Sequence, residues 1–236
     1  MAMNKTNIEW THMPGRVGYT WNPVAGCRHG CEFCYARRMV EHGRLKGSPA
    51  YPHGFEPTFH EERLVQPYGA RKPAFIFTVS MGDLFGASVP DEWIEKVLQV
   101  IRENPQHIFA LLTKNAGRLR KVDRAIGFPP NAWCGVTVNT LDDVYKLEIL
   151  RDLSPEVRFV SLEPMQDRFY MNHLLGLSWV IAGAQTGPMA PPVNRDEFKR
   201  LATMLGKWDV PTFLKANTGL EGPREWPGTP RQMEAF

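Results

Sequence analysis

Ala74-Phe75-Ile76-Phe77-Thr78-Val79-Ser80 and His107-Ile108-Phe109-Ala110-Leu111-Leu112-Thr113 bracket a segment in which Ile94, Val97, Leu98 and Ile101 recur at i, i+3, i+4 and i+7. The flanking runs are continuously apolar, β-branched or aromatic, the pattern of strands covered on both faces. The segment between them opens after Pro90 and carries one apolar stripe at helical period. Strand, helix and strand in one sheet imply a right-handed crossover, and the module recurs. Trp133–Val138, Arg158–Leu162, Ser178–Ala182 and Pro211–Leu214 read as further strands, with Tyr19–Val24 as the first. Phe198, Leu201, Ala202 and Leu205 repeat the helical spacing after Asn194, with Glu197 at the capping-box position, and Thr140 with Asp143 opens another helix. Strand starts separated by roughly 20–33 residues leave room for one helix per crossover. The fold class expected is α/β, a single-domain, incomplete (β/α)6-7 barrel of parallel strands over residues 1–236.

Composition bounds the function. In 236 residues, 43% hydrophobic, there is material for one core, and no run of about 18 apolar residues reads as a membrane span. Met1-Ala2-Met3-Asn4-Lys5-Thr6 lacks the apolar core of a secretory signal, so a cytoplasmic protein without a membrane partner is expected. A net charge of +3 is weak support for a polyanionic partner. Its distribution says more: Arg118, Arg120, Lys121 and Arg124 crowd one segment, and Arg37, Arg38, Arg44 and Lys46 another. Either group fits phosphates or simply the exposed side of a helix, which leaves nucleic acid as a candidate partner.

Cys27, Cys31 and Cys34 stand in a C-x3-C-x2-C run, a spacing that lets a short loop curl around one [4Fe-4S] cluster on three thiolates, with the fourth iron lacking a protein ligand. Gly26 and Gly30 supply bends in the cluster loop 26–35, and Phe33 offers a flat apolar face. The competing reading is a zinc knuckle completed by His12, His29, His42 or Cys134, giving a zinc-stabilised nucleic-acid-binding module without catalysis. An iron–sulfur electron carrier would need a fourth ligand near the triad. Cys134, in mid-strand, reads as a small core residue. Three of four cysteines within eight positions do not make a disulfide framework.

Cys27-Arg28-His29-Gly30-Cys31-Glu32-Phe33-Cys34, with its aromatic before the third cysteine, resembles the signature of the radical S-adenosylmethionine (SAM) superfamily. Trp21–Cys27, Cys34-Tyr35-Ala36, Ser80–Phe85, Leu112-Thr113-Lys114, Ser161–Pro164 and Trp179–Gly183 are similar to the radical SAM-like phage-protein family of phages and bacteria, from about Asn7 to the C-terminus. The resemblance implies an enzyme in which a site-differentiated [4Fe-4S] cluster binds SAM and cleaves it reductively to a 5′-deoxyadenosyl radical that abstracts hydrogen from a substrate. It also implies an external electron donor of flavodoxin or ferredoxin type. Cys27, Cys31 and Cys34 are then both metal ligands and catalytic residues.

Further polar residues end the expected strands, where barrel enzymes place their chemistry. Asp83 in Ser80-Met81-Gly82-Asp83 resembles the superfamily's Gly-Gly-Glu element for the SAM amino group, although an Asp is also a common helix cap. Thr137 and Asn139 lie where the resemblance implies ribose contacts. Ser161 and Glu163 are expected at SAM or substrate, Glu163 being costly to leave unpaired at the end of a buried strand, with a structural salt bridge as its alternative. Lys114 and Lys215 are cations suited to the SAM carboxylate, a substrate phosphate or a carboxylate such as Glu163. With Gln185 and Asn217 they form the candidate substrate set, and a nucleic acid or nucleotide is the leading substrate. The segment 47–73, rich in Pro, Gly and aromatics including Phe55, Phe59 and Tyr68, is expected as an ordered insertion capping the barrel mouth. Residues 219–236 are expected as a tail over the barrel.

Overall fold

The computed structural model describes residues 2–228. A short strand β1 (Asn4–Lys5) pairs antiparallel with β2 (Val17–Trp21). Next come β3 (Val24–Ala25), α1 (Tyr35–Glu41) and β4 (Thr58–Phe59), β3 and β4 forming a small antiparallel pair of their own. Strands and helices then alternate: β5 (Ala74–Thr78), α2 (Asp91–Glu103), β6 (Ile108–Thr113), α3 (Ala116–Ala125), β7 (Ala132–Thr137), α4 (Tyr145–Arg151), β8 (Arg158–Leu162), α5 (Met171–Leu174), β9 (Trp179–Ala182), α6 (Arg195–Lys207) and β10 (Thr212–Leu214). The sheet order is β1-β2-β5-β6-β7-β8-β9-β10. From β2 to β10 every neighbouring pair is parallel. Seven parallel strands in sequential order, with β1 and β10 as the two edges, make the incomplete barrel that the periodicity predicts.

Both sheet faces are covered, and the alternation along each strand separates them. Ile76, Leu111, Val136, Val160 and Val180 pack with Ile94, Val97, Leu98 and Ile101 of α2 and Leu201 and Leu205 of α6. The opposite face carries Phe75, Ala110, Trp133, Phe159, Trp179 and Phe213, closed by Trp10 and Trp226. Trp179 centres this aromatic cluster, its ring 5.7 Å from Phe159 and 6.0 Å from both Trp10 and Trp133. Gly135 leaves the space that the Phe159 ring fills, since a Cβ there would lie 2.5 Å from that ring. Gly135→Ala is therefore expected to destabilise by about 1–3 kcal/mol through overpacking, read as a lower midpoint in urea.

Several local boundaries differ from the sequence expectation. The first strand is β2, ending at Trp21, because Pro23 has no N–H for a ladder and Asn22 turns its side chain to accept from Met81 N–H (2.8 Å). Thr140 caps nothing with its side chain; Leu141–Asp143 form a 3-10 turn, and the helix begins at Tyr145. The Asp143 carboxylate instead takes the Asn139 N–H at 3.1 Å. Asn194 does cap α6, accepting from Glu197 N–H at 3.3 Å. In the 47–73 segment Phe55 is buried and Phe59 stacks on Trp93 with centroids 5.1 Å apart, while Tyr68 stays exposed. Of the tail, residues 229–236 lie outside the described residues. Its earlier part runs beside β10 and brings Trp226 beneath the barrel, where the indole N–H donates to Trp10 O at 2.8 Å.

His107, fully buried, accepts the Ala74 N–H on Nδ1 at 3.2 Å and places Nε2 3.3 Å from Pro67 O. Burial, aided by Arg16, holds its pKa below 6.5, and burial acts the same way on His60. The unfolded chain then binds more protons than the folded one just below pH 6.5, so stability is full above that pH and is lost on acidification. Urea denaturation at about pH 7.5 and about pH 5.5 should give a smaller difference for His107→Gln than for the wild type.

Candidate functional site

Close backbone approach builds the cysteine loop. Gly26 N–H donates to Met81 O at 2.8 Å and Gly26 bridges Gly82 in parallel, extending the sheet past β5. A Cβ on Gly82 would sit 2.7 Å from Gly26 O. Gly26 itself has φ +91° and touches the Glu56 backbone, so no other residue fits there. Cys27 N–H donates to Phe55 O at 2.8 Å, tying the loop to the 47–73 segment. His29 N–H points to Cys27 Sγ and Arg37 N–H to Cys34 Sγ, each at 3.4 Å. Burial pushes the Cys27 thiol up to about 11. It raises Cys31 too, against the opposing charge of Lys114. Metal uptake at such thiols must displace protons.

Asp83 is the hub of the rim. Its carboxylate accepts the Thr113 hydroxyl at 2.7 and 2.9 Å, the Phe85 N–H at 2.9 Å and the Lys114 N–H at 3.1 Å, and it meets His29 Nε2 at 2.9 Å. The turn after β5, the end of β6 and the cysteine loop thus converge on one side chain. Next to it, Lys114 Nζ donates to Asn139 Oδ1 at 2.8 Å and lies 5.4 Å from the Phe33 ring centre.

Across the barrel mouth, Lys215 Nζ meets Glu163 Oε1 at 2.6 Å, and Ser161 Oγ donates to Glu163 Oε2 at 3.0 Å. Gly183 makes room for this pair: a Cβ there would stand 3.0 Å from Lys215 Cδ and 3.2 Å from Glu163 Oε1. Asn217 clamps the Ala184 backbone, accepting its N–H at 3.2 Å and donating to its carbonyl at 2.8 Å.

These groups surround one cavity of about 340 Å³ at the C-terminal ends of the strands. Cys27, Cys31 and Cys34 line it together with Phe33, Asp83 and Lys114, and Thr137, Ser161 and Glu163 form the next wall. Gln185, Lys215 and Asn217 complete the circuit. Asn139 supports the lining: it accepts from Lys114 and donates to Pro164 O at 2.9 Å, both residues of the cavity wall. The apolar floor of Ile8, Trp10, Phe77 and Leu112 was not legible as a site. Phe77 at least alternates with Phe75, whereas Trp10 arrives from a 3-10 turn that no period announces. Tyr35 also lines the cavity, its hydroxyl donating to Ser80 O at 2.6 Å.

Much of the basic charge is already engaged. Arg118 pairs with Asp91 and donates to Val89 O, and Lys121 approaches Asp91 at 3.8 Å. Arg37 bridges Glu41 and Cys27 O, and Arg38 reaches Thr186 O. Among the described residues no helix is long and apolar enough to cross a membrane.

The fold and the cavity define an α/β partial barrel with a thiol-lined pocket at the C-terminal ends of its parallel strands. Residues 5–224 match the family described as Protein of unknown function (DUF5131), and the chain belongs to that family. Comparison with curated proteins returns no match. Among solved structures, spore photoproduct lyase complexed with dinucleoside spore photoproduct is similar, with a TM-score of 0.57 and 10% identity over 90% of this chain and 78% of that one. A cysteine-to-alanine mutant of that lyase with the same ligand gives a TM-score of 0.54 and 10% identity over 87% of this chain and 63% of the other. At such identity the likeness is one of fold.

Proposed function

We propose that the chain is a radical SAM enzyme whose cluster is held by Cys27, Cys31 and Cys34. The observation that carries this reading is that all three thiols of the C-x3-C-x2-C run open into the same cavity as the polar strand ends. The donor set fits a cubane: three free thiols on a glycine-bent loop, two of them approached by backbone N–H groups. A single zinc ion fits less well, because zinc sites usually come as two close ligand pairs and the loop carries one compact triplet. When bound, a [4Fe-4S] cluster with SAM supplies a carbon radical by one-electron cleavage of the sulfonium bond.

The chain's own residues prepare the space for that chemistry. Asp83 offers a carboxylate to the cosubstrate ammonium, and Thr137, Ser161 and Glu163 line the wall suited to its ribose and adenine. Lys114, steadied by Asn139 and Phe33, carries a positive charge that acts on the Cys31 thiol, and it suits a carboxylate. Gln185, Lys215 and Asn217 face the remaining volume, where a substrate is held over Trp10 and Phe77 with water excluded. A nucleotide or nucleic acid is the substrate class we favour; the dinucleoside bound by the structurally similar lyase supports it. A flavodoxin- or ferredoxin-type protein is the proposed reductant, and the cytoplasm the proposed location.

Anoxic purification with iron, sulfide and zinc analysis tests the reading. Iron and sulfide in equal amounts are expected, with 5′-deoxyadenosine formed from SAM and dithionite; zinc without sulfide would refute it.

A further inference from the structure

The four donors that Asp83 accepts are not equivalent. A carboxylate has about four lone-pair sites, and here Thr113 Oγ1, Phe85 N–H, Lys114 N–H and His29 Nε2 take them all. Three of these donors belong to the rim: two are backbone amides and the third is a short, buried hydroxyl at the end of β6. Thr113 and Lys114 tie the turn after β5 to the end of β6, and the Phe85 N–H closes that turn. His29 differs. It sits on the cysteine loop, and its side chain is 29% exposed against 6% for Asp83, so it can swing out from Asp83 without moving the backbone at the strand ends.

The position of the pair is as telling as its saturation. Cys27, His29 and Asp83 line the inner cavity, and they also line a second cleft of about 430 Å³ on the outer side, walled by Arg28, Pro57 and Ser88. The His29–Asp83 contact is therefore a partition between the thiol-lined cavity and an outer opening. No ammonium can enter the Asp83 coordination shell while the fourth donor stays in place.

We propose that His29 is an exchangeable positioning residue: it occupies on Asp83 the place taken by the ammonium of an amino-acid-bearing cosubstrate, and moves toward the outer cleft when that ammonium binds. The inference rests on the radical SAM reading and adds to it a competitor built into the cysteine loop. The exchange trades one hydrogen bond for another at the same carboxylate, so the competition costs affinity without preventing binding.

The test is equilibrium dialysis under anoxic conditions of the cluster-loaded full chain, with binding referred to iron content. The probes are S-adenosylhomocysteine, which keeps the ammonium, and 5′-methylthioadenosine, which lacks it. His29→Ala is expected to bind S-adenosylhomocysteine roughly 2–10-fold more tightly than the wild type, the worth of one net hydrogen bond, with 5′-methylthioadenosine unchanged. His29→Gln, which keeps a donor, is expected to restore affinity toward the wild-type value. Unchanged or weaker S-adenosylhomocysteine binding in His29→Ala overturns the proposal, as does equal tightening of both probes, which would reflect general opening of the cavity. Failure of His29→Ala to load iron and sulfide overturns it as well, because His29 would then serve to seat the loop. A wild-type chain that takes up no iron and sulfide refutes the enzyme class itself, a result distinct from any of these.

Discussion

Cys31→Ala is expected to reduce acid-labile sulfide and iron to background in anoxically purified protein and to abolish 5′-deoxyadenosine formation. Three thiolates on one loop leave no spare ligand: the fourth cysteine, Cys134, is fully buried in β7 and packs in the helix-facing core. Its partners across the sheet are Leu111 and Arg158, far in sequence from the loop. Cys134→Ala is the matching control. It should keep the full iron and sulfide content and lose about 1 kcal/mol of stability from the removed sulfur. Equal sulfide in Cys31→Ala and the wild type, measured on the same preparations, would remove the basis of the proposed function.

Asp83→Ala is expected to be the most destabilising single change at the rim. It strips one acceptor from two backbone amides, a buried hydroxyl and an imidazole at once. A buried donor left unsatisfied costs about 1–3 kcal/mol, and water entering from the cavity relieves part of that, so a net loss of roughly 3 kcal/mol follows. For a chain of this length that corresponds to about 6–12 °C in melting temperature. Asp83→Asn keeps the shape but presents an NH2 to N–H and O–H donors, so it should recover only part of the loss. A melting temperature unchanged in Asp83→Ala, followed by differential scanning calorimetry, would mean that the rim junction does not depend on this carboxylate.

Residue types with local meaning were legible in advance. Phe75, Phe77 and their alternating partners marked β5, and Ile94, Val97, Leu98 and Ile101 marked the buried stripe of α2, because solvent exposure follows the backbone period within a few residues. Gly26 and Gly30 were readable as bends, and both have positive φ. Asn139 shows the limit. Its position at the end of β7 follows from the strand pattern, but that its side chain joins Lys114 to Pro164 O was not legible. Thr140 is similar: a favoured capping residue whose side chain caps nothing, while the Asp143 N–H goes to its backbone carbonyl and the Leu141 N–H to Asp167.

By itself the sequence determined the class of fold, the thiol triad and the strand ends at which polar groups gather, since each follows from spacing within a short window. Tertiary structure alone decided which distant groups meet: His29 with Asp83 across 54 positions, Lys215 after β10 with Glu163 after β8 over the end of β9, and Trp10 beneath the cavity. Those meetings depend on where each crossover returns its strand to the sheet and how Trp10 and Trp226 close its inner face. Such long-range geometry is set by the packing of the whole core, and no local pattern of residues encodes it.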